Sequence, residues 1–504
     1  MVRTVTTQIL RRGRSPTTDV HDLLTLRLAI LTASDRCAAQ HRRRAVALQS
    51  CLVRAASTTG IARRRPNPAR RVFLGFVVLN LAGWALLALP ISSTPEGSSS
   101  WIDALFTAVS AACVTGLTVV DTALYWTPFG QTVILVLVQL GGLGVMVFTT
   151  LVGVLVLRRL TIGARVQTAS ETHSRGIGEV GSIVRAIVVT SLVVEGVVAL
   201  ALLPRFMLGY GESFGDALWL SVFHAVSSYN NAGFALFSDN LIGFVDDPFV
   251  CVPLMVSTVV GGLGFPVIVQ ILKRVSGRAR ILSLHALLVL GGTALLLPLG
   301  ALAIGALEWS NPGTLGALEP GSRVLTSLFH SVQTRTAGFN ALDIGAMRPE
   351  TLLVMDVLML IGGGPAGTAG GIKLTTFAVL LFIILAEVRG DGTVHAFGRR
   401  LSRAVHREAI TVALLAVALV VAATLAILVL TEETFDDVLF EAVSAFATVG
   451  LSTGITADLG WPSQLILVIL MFLGRVGPAT VATAIALRRT TRAYELPKER
   501  PLIG

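Results

Sequence analysis

The chain has 504 residues, of which 53% are hydrophobic and only 14% are charged. An ordinary soluble domain carries about a quarter charged residues, so this composition argues against a soluble protein and indicates a polytopic membrane protein. The net charge of +10 resides mainly in residues 1–71, which hold fifteen Arg and three Asp and are predicted to form a cytoplasmic arm near anionic lipid rather than a nucleic-acid-binding domain.

Eight apolar stretches are long enough to cross a bilayer, which takes about 20 residues. They lie at 72–91, 132–157, 185–204, 250–272, 282–306, 352–386, 408–430 and 463–487. Glycines interrupt the sixth stretch. Arg and Lys follow the second, fourth, sixth and eighth stretches, whereas acidic residues follow the third, fifth and seventh. The positive-inside rule therefore places both termini in the cytoplasm.

Four short segments between these stretches resemble one another. Each begins with Phe, at positions 106, 223, 329 and 440, and reaches a Gly after 10, 10, 9 and 10 residues. The spacing predicts four consecutive helix–pore loop–helix repeats, bounded at 72–160, 161–275, 276–390 and 391–504. Each segment should start as a short helix, with Asp103 and Asp437 as acidic N-caps in two copies.

The small-residue turn that ends each segment is the candidate functional element. Extended backbone at membrane depth is tolerated only inside protein or beside a water-filled cavity. Four such loops meeting at one axis would line a pseudo-fourfold pore with carbonyl groups, which replace the hydration shell of a cation, and glycine would permit the crowding. The alternative is that the loops are simple turns between spans, although turns alone would not repeat the whole segment.

The third copy carries a Gly-rich stretch at 362–371, with six Gly and one Pro. Because each Gly lowers helix stability by about 1 kcal/mol relative to Ala, we predict two half-helices joined by a flexible loop that constricts the pore. Lys373 follows, but Ile372 occupies the position where a nucleotide-binding loop needs Gly. Arg475 lies inside the last apolar stretch and should face the pore or bind loop carbonyls, since an unpaired intramembrane Arg costs roughly 2.5–3.5 kcal/mol. A structural role for Arg475 stays open.

Other polar residues point to competing functions. A membrane-embedded enzyme would need a catalytic cluster, for which His224 and His330 are the nearest candidates, although their matched positions favour packing roles. Glu195 is expected to snorkel or pair laterally rather than to bind an ion. A secondary transporter with Gly/Pro-broken helices at a midplane substrate site is the main alternative to an ion-conducting subunit, but it predicts two inverted halves.

The fourfold pattern resembles the Trk/Ktr/HKT superfamily of potassium transporters over about residues 72–490. The segments that resemble its potassium selectivity filter are Cys113, Val114, Thr115, Gly116; Asn230, Asn231, Ala232, Gly233; Arg335, Thr336, Ala337, Gly338; and Ala447, Thr448, Val449, Gly450. The residues that resemble its gate are Gly362, Gly363, Gly364, Pro365, Ala366, Gly367, Thr368, Ala369, Gly370, Gly371, Lys373 and Arg475.

Within the superfamily the chain is most similar to KtrB-type subunits, because residues 1–71 offer no additional spans of the kind found in TrkH-type members. The resemblance implies a protein without enzymatic activity that conducts K⁺ through filter carbonyls, with Gly in all four copies favouring K⁺ over Na⁺. Whether Na⁺ is also transported stays open. It further implies a homodimer in the bacterial inner membrane and a separate cytoplasmic, octameric RCK ring of the KtrA type that binds ATP or ADP, with no nucleotide on this chain.

Overall fold

The computed structural model describes residues 68–94, 100–144, 180–277 and 281–477. Residues 1–67 of the predicted arm at 1–71, residues 145–157 of the second predicted span and the end of the last predicted span at 478–487 lie outside the described residues. Helices dominate what is described, and the single sheet pairs β1 (His395–Ala396) with β2 (Arg399–Arg400). The fold class is therefore that of an all-α membrane protein, as the composition predicts.

The α-helices are numbered here in chain order over the described residues. They are α1 (Pro68–Leu87), α2 (Trp101–Cys113), α3 (Thr122–Tyr125), α4 (Pro128–Gly142), α5 (Val180–Pro204), α6 (Phe214–Tyr229), α7 (Pro248–Leu263), α8 (Phe265–Val275), α9 (Leu284–Glu308), α10 (Pro320–Gln333), α11 (Pro349–Leu360), α12 (Leu374–Val388), α13 (Arg403–Leu430), α14 (Phe435–Ala447) and α15 (Trp461–Val476). A π-helical turn, Arg205–Gly209, extends α5.

Three described helices have the length and apolar composition of a complete membrane span: Val184–Gly209, Leu284–Glu308 and Arg403–Leu430. The bent pair α7 and α8 makes a fourth if it is counted as one span. The remaining predicted spans correspond to shorter apolar helices, which are Phe73–Leu87, Pro128–Gly142, Leu374–Val388 and Trp461–Val476. Two of these four lie directly before residues outside the described part of the chain.

Two of the predicted spans contain breaks. The sixth divides into α11 and α12 around the Gly-rich loop, which confirms the predicted interruption. The fourth was expected to be continuous over 250–272, and this expectation is wrong, because α7 and α8 meet at 100°. Gly264 adopts a φ of +87°, which an α-helix does not accommodate, and Pro266 then starts a new helix in its first turn.

Four short helices, α2, α6, α10 and α14, carry the repeated segments, and the Phe that opens each segment is fully buried. The predicted acidic N-caps are wrong. Ser100 and Thr434 are the caps, and their hydroxyl oxygens accept hydrogen bonds from the backbone N–H of Asp103 and Asp437. The two carboxylates instead occupy the first turn of each helix, where they still interact favourably with the helix dipole.

Candidate functional site

The four short helices end in the same backbone conformation. Each Gly of the predicted filter has a positive φ, with values of +89°, +70°, +76° and +97° at Gly116, Gly233, Gly338 and Gly450. The residue two positions earlier also has a positive φ in every copy, as found at Val114, Asn231, Thr336 and Thr448. Residues other than Gly rarely adopt a positive φ, so its occurrence at four matched non-glycine positions indicates a strained backbone conformation that all four turns share.

These four turns contact one another in a closed ring. A methyl group built on Gly116 would overlap the carbonyl oxygen of Ala232, and one built on Gly233 would overlap that of Ala337. In the same way, Gly338 faces the carbonyl of Val449, and Gly450 faces the carbonyl of Thr115. Each Gly therefore lies against the residue that precedes the next Gly, and the fourth segment returns to the first. We call the carbonyls of Thr115, Ala232, Ala337 and Val449 the carbonyl ring.

Buried hydroxyl groups of the short helices hold these turns in place. Ser110 Oγ accepts a hydrogen bond from Gly116 N at 3.1 Å and donates one to Leu117 O at 2.7 Å. Ser444 Oγ accepts from Gly450 N at 3.1 Å, and Ser227 Oγ donates to the backbone of its own turn. The N–H groups of Gly116 and Gly450 are thus satisfied by the supporting helices, and Gly338 N donates to Gln333 O of α10. Within the described residues, the ring carbonyls are left for another partner.

The second helix of three copies packs closely against the end of its short helix. A methyl group on Gly141 of α4, Gly261 of α7 or Gly474 of α15 would overlap a carbonyl four residues before the corresponding ring Gly. Small residues permit such close approach between helices in membranes. The third copy departs from this pattern, because Gly362 faces the carbonyl of Gly370 within its own loop.

The Gly-rich loop, residues 362–371, contacts the segments on both sides of the third copy. Thr368 Oγ1 donates to Tyr229 O at 3.2 Å and lies 3.1 Å from the side-chain amide of Asn231. On the other side, a methyl group on Gly370 would overlap the hydroxyl of Thr448. The loop therefore lies directly against two turns of the ring, and it connects the second copy with the fourth.

Arg475 extends this connection to the first copy. Its guanidinium donates one hydrogen bond to the carbonyl of Thr368 in the Gly-rich loop and another to Gly141 O of α4, the latter at 2.5 Å. Lys373 lies at the N-cap position just before α12, and its Nζ donates to Ala369 O at 2.5 Å. Arg475, which belongs to the fourth copy, thus joins the Gly-rich loop of the third copy to α4, the second helix of the first copy. The loop and these second helices form a layer beneath the carbonyl ring, and Arg475 bridges that layer.

The first residue of each predicted filter segment lies at the end of its short helix and differs among the copies. Cys113 is a buried free thiol, and Ala447 is buried beside the Gly-rich loop. Asn230 donates through its amide to Gln139 Oε1 at 2.8 Å. Arg335 is 8% exposed, lines a small cavity with Thr258, and has a buried Nε without a partner among the described residues.

Comparison with known proteins matches this architecture to a single family. The TrkH family, described as a cation transport protein, matches residues 44–493. The chain belongs to the TrkH family of cation transport proteins. Its relatives include the Ktr system potassium uptake protein B of Bacillus subtilis, 40% identical over 84% of this chain and 94% of the relative, and that of Vibrio alginolyticus, 36% identical over 86% and 94%. This confirms the resemblance to KtrB-type subunits and places the chain among transport proteins, not enzymes.

Two further comparisons extend this picture. The potassium/sodium uptake protein NtpJ of Enterococcus hirae is 34% identical over 88% of this chain and 98% of the relative. The crystal structure of the potassium transporter TrkH from Vibrio parahaemolyticus aligns with a TM-score of 0.68 at 17% identity, covering 84% of this chain and 86% of that one. The structural likeness supports the fold.

A polar network behind the second turn was missed by the sequence analysis. Glu195 of α5 accepts hydrogen bonds from Ser191 Oγ at 2.6 Å and from Asn230 Nδ2 at 3.3 Å. Gln139 of α4 bonds both Ser191 and Asn230. Glu195 thus pairs laterally, and its partner is a residue of the predicted filter. Because the contacts that Gln139 and Asn230 make in this network join positions 35 to 91 residues apart, sequence spacing gives no sign of them.

The two candidate histidines support loops as well. His224 Nε2 accepts a hydrogen bond from Leu236 N at 3.3 Å, and His330 Nε2 accepts one from Ala341 N at 3.4 Å. Leu236 and Ala341 each follow their ring Gly by three residues. Both imidazole rings are fully buried and hold the backbone that follows the ring Gly in their copies. This agrees with the packing roles expected for His224 and His330.

Proposed function

We propose that this chain is the ion-conducting subunit of a potassium uptake system and that residues 113–116, 230–233, 335–338 and 447–450 form its selectivity filter. The observation that carries the proposal is the closed carbonyl ring, in which each positive-φ glycine lies against a carbonyl of the neighbouring turn. Rings of backbone carbonyls replace the hydration shell of K⁺. Four turns that share one conformation favour a central pore over a secondary transporter, which would consist of two inverted halves.

Potassium is the proposed substrate because two relatives at 36% and 40% identity are named for potassium uptake. Sodium is a second candidate ion, since NtpJ is named for potassium and sodium. Gly at all four ring positions favours K⁺, because a side chain at any of them would displace a coordinating carbonyl.

The proposed gate comprises the Gly-rich loop, Lys373 and Arg475. Support comes from the bridge that these residues form under the ring, from the second copy to the fourth and through Arg475 to the first. Such a bridge obstructs an axial path. Because the loop is held by a few hydrogen bonds to carbonyls rather than by a continuous helix, a modest free-energy change would displace it.

The proposed assembly is a homodimer in the bacterial inner membrane with both termini in the cytoplasm, organised as the repeats 72–160, 161–275, 276–390 and 391–504. A separate octameric ring of KtrA-type RCK subunits that bind ATP or ADP would act on the gate. The relatives' printed name, protein B of a Ktr system, supports a second component. The Arg-rich loops after alternate spans support the orientation.

The test is potassium uptake in bacterial cells that lack their own potassium transporters, with and without a co-expressed RCK partner. We expect the chain to restore growth at low external K⁺ and the partner to raise the uptake rate. The Gly291→Ser variant is the matched control, because Gly291 in α9 has open space around its Cα. Uptake of Na⁺ without K⁺, or no ion uptake by a correctly inserted protein, would overturn the proposal.

A further inference from the structure

Asp356 of α11 stands apart from the other buried carboxyl groups of the described chain. The buried Asp and Glu residues are Glu195, Asp247, Glu308, Asp356 and Glu441. Four of them accept hydrogen bonds, from Ser191, Arg205, Thr314 and Thr456 in that order. Asp356 is 5% exposed, and its Oδ1 is buried with no hydrogen-bond partner in the described part of the chain.

The side chain of Asp356 lines a cavity of about 340 Å³ between α11 and α14, together with the carboxyl groups of Glu350 and Asp436. Apolar residues, including Leu353 and Phe435, complete the wall, and no Lys, Arg or His is among the described residues that line it. Glu350 and Asp436 are exposed, which gives the cavity an opening to solvent. We call this space the acidic cavity.

A buried carboxylate beside two further carboxylates is unfavourable unless it takes up a proton or a positive charge joins it. No three His, Cys, Asp or Glu side chains of the described residues stand close enough to hold a metal ion directly. This excludes a dry cage of the kind that Ca²⁺ occupies. Mg²⁺, in contrast, keeps several water ligands and is held by one or two carboxylates. The volume of the acidic cavity leaves room for those water molecules.

We propose that the acidic cavity binds a partly hydrated divalent cation of the Mg²⁺ class, with Asp356 as its buried ligand and Asp436 and Glu350 as the outer carboxylates. The site lies at the start of α11 and α14, on the side that the charge pattern assigns to the exterior. The bound cation ties two helices together. One of them, α11, leads into the Gly-rich loop, and the other, α14, leads to Gly450 of the ring.

The first experiment measures the melting temperature of the purified full-length protein in detergent, with EDTA or with increasing MgCl₂. A ligand that binds only the folded state raises the melting temperature in a concentration-dependent way. We expect this rise for the wild type and for Asp458→Asn, a control at an exposed outer-loop acid. For Asp356→Asn we expect no response to Mg²⁺. In EDTA this variant should melt at or above the wild-type temperature, because an unpaired buried charge is removed.

The second experiment measures Mn²⁺ binding by the loss of the free-ion electron paramagnetic resonance signal. We expect Asp356→Asn to weaken binding by at least about tenfold, and Asp436→Asn and Glu350→Gln to weaken it less. Three results would overturn the site: a wild type that neither binds Mn²⁺ nor responds to Mg²⁺, an Asp356→Asn variant that responds like the wild type, or a stabilisation that NaCl of equal ionic strength reproduces. An Asp356→Asn protein that melts lower in EDTA would show instead that another group of the protein pairs with the carboxylate.

Discussion

The carbonyl ring and the layer of second helices beneath it follow different rules. In the ring, four turns share the same pair of positive φ angles and the same glycine-to-carbonyl contact. In the layer beneath, only three copies keep the packing of a second-helix Gly against a short helix, and the third replaces it with the Gly-rich loop. A single cation, Arg475, then bridges the third copy to the first.

This contrast fits two separate proposed functions, ion selectivity in the carbonyl ring and gating in the layer beneath it. A filter needs equivalent ligands around one ion, so repetition serves it, and every copy must keep its Gly. A gate needs an element with two arrangements of similar free energy, and the Gly-rich loop, which only the third copy carries, would supply that element. Regular turns would therefore set selectivity, and the exceptional copy would set the rate.

Substitution of Gly116 by Ser should produce the largest effect. Its Cβ would overlap the carbonyl of Ala232 at a φ of +89°, so the ring must distort. If the cost of overpacking, about 1–3 kcal/mol, falls on K⁺ binding, the preference for K⁺ over Na⁺ drops by roughly 5- to 150-fold. Competition between Na⁺ and K⁺ for ⁸⁶Rb⁺ uptake into liposomes measures this ratio. Gly291→Ser is the control. If Gly116→Ser keeps the wild-type ratio of Na⁺ to K⁺ competition, the first copy is not part of the filter.

Deletion of residues 362–371 removes the Gly-rich loop and so tests its proposed role as the gate. We expect a higher potassium flux and a weaker dependence on the RCK partner, because the bridge beneath the ring is lost. Selectivity should stay near the wild-type value, since the ring turns remain. Flux and ion competition measured on the same liposomes separate the two properties. If potassium flux and its dependence on the RCK partner are both unchanged, the Gly-rich loop is not the gate.

Replacement of Arg475 by Ala should raise basal uptake more moderately. The side chain loses two hydrogen bonds from a charged donor, each of about 1.5–3 kcal/mol, so the closed arrangement is weakened although the loop remains. Arg475→Lys should be intermediate, because it keeps the charge but loses the planar fork. Uptake without the partner is the measurement. Slower uptake by a folded Arg475→Ala protein would show that Arg475 supports the open pore.

The smallest effect is expected at Glu195, which supports a single turn. Glu195→Ala leaves the amide of Asn230 and the hydroxyl of Ser191 with fewer acceptors, which costs about 1–3 kcal/mol of stability. Glu195→Gln keeps one carbonyl acceptor and should lie nearer the wild type. Thermal melting together with the ion-competition ratio tests this. If Glu195→Gln is as damaging as Glu195→Ala, the negative charge itself is required.

The sequence contains enough information for the ring because a repeat is visible locally. Phe-to-Gly spacing, and the need for positive φ at glycine, both act within about ten residues. The contact of Arg475 with loop carbonyls was predictable from its charge, since an intramembrane guanidinium must find acceptors. The broken sixth span was likewise evident from its glycines.

Other features depend on contacts that no local pattern reveals. The network of Gln139, Ser191, Glu195 and Asn230 forms only when the first and second copies come together. Asp356 lies among apolar residues in the body of α11, and its proposed role becomes visible only beside Asp436 of α14. The break at Gly264 was missed because the surrounding apolar residues dominate, although Pro266 two positions later is a local signal of a new helix.

The most direct test of the central claim, that the four turns form one potassium filter, is the location of a heavy K⁺ analogue. Crystals of the active protein grown in Tl⁺ would give anomalous scattering at each occupied site. We predict a peak on the axis of the carbonyl ring, enclosed by the carbonyl oxygens of Thr115, Ala232, Ala337 and Val449. A protein that transports Tl⁺ but shows its peaks only away from this ring would contradict the account.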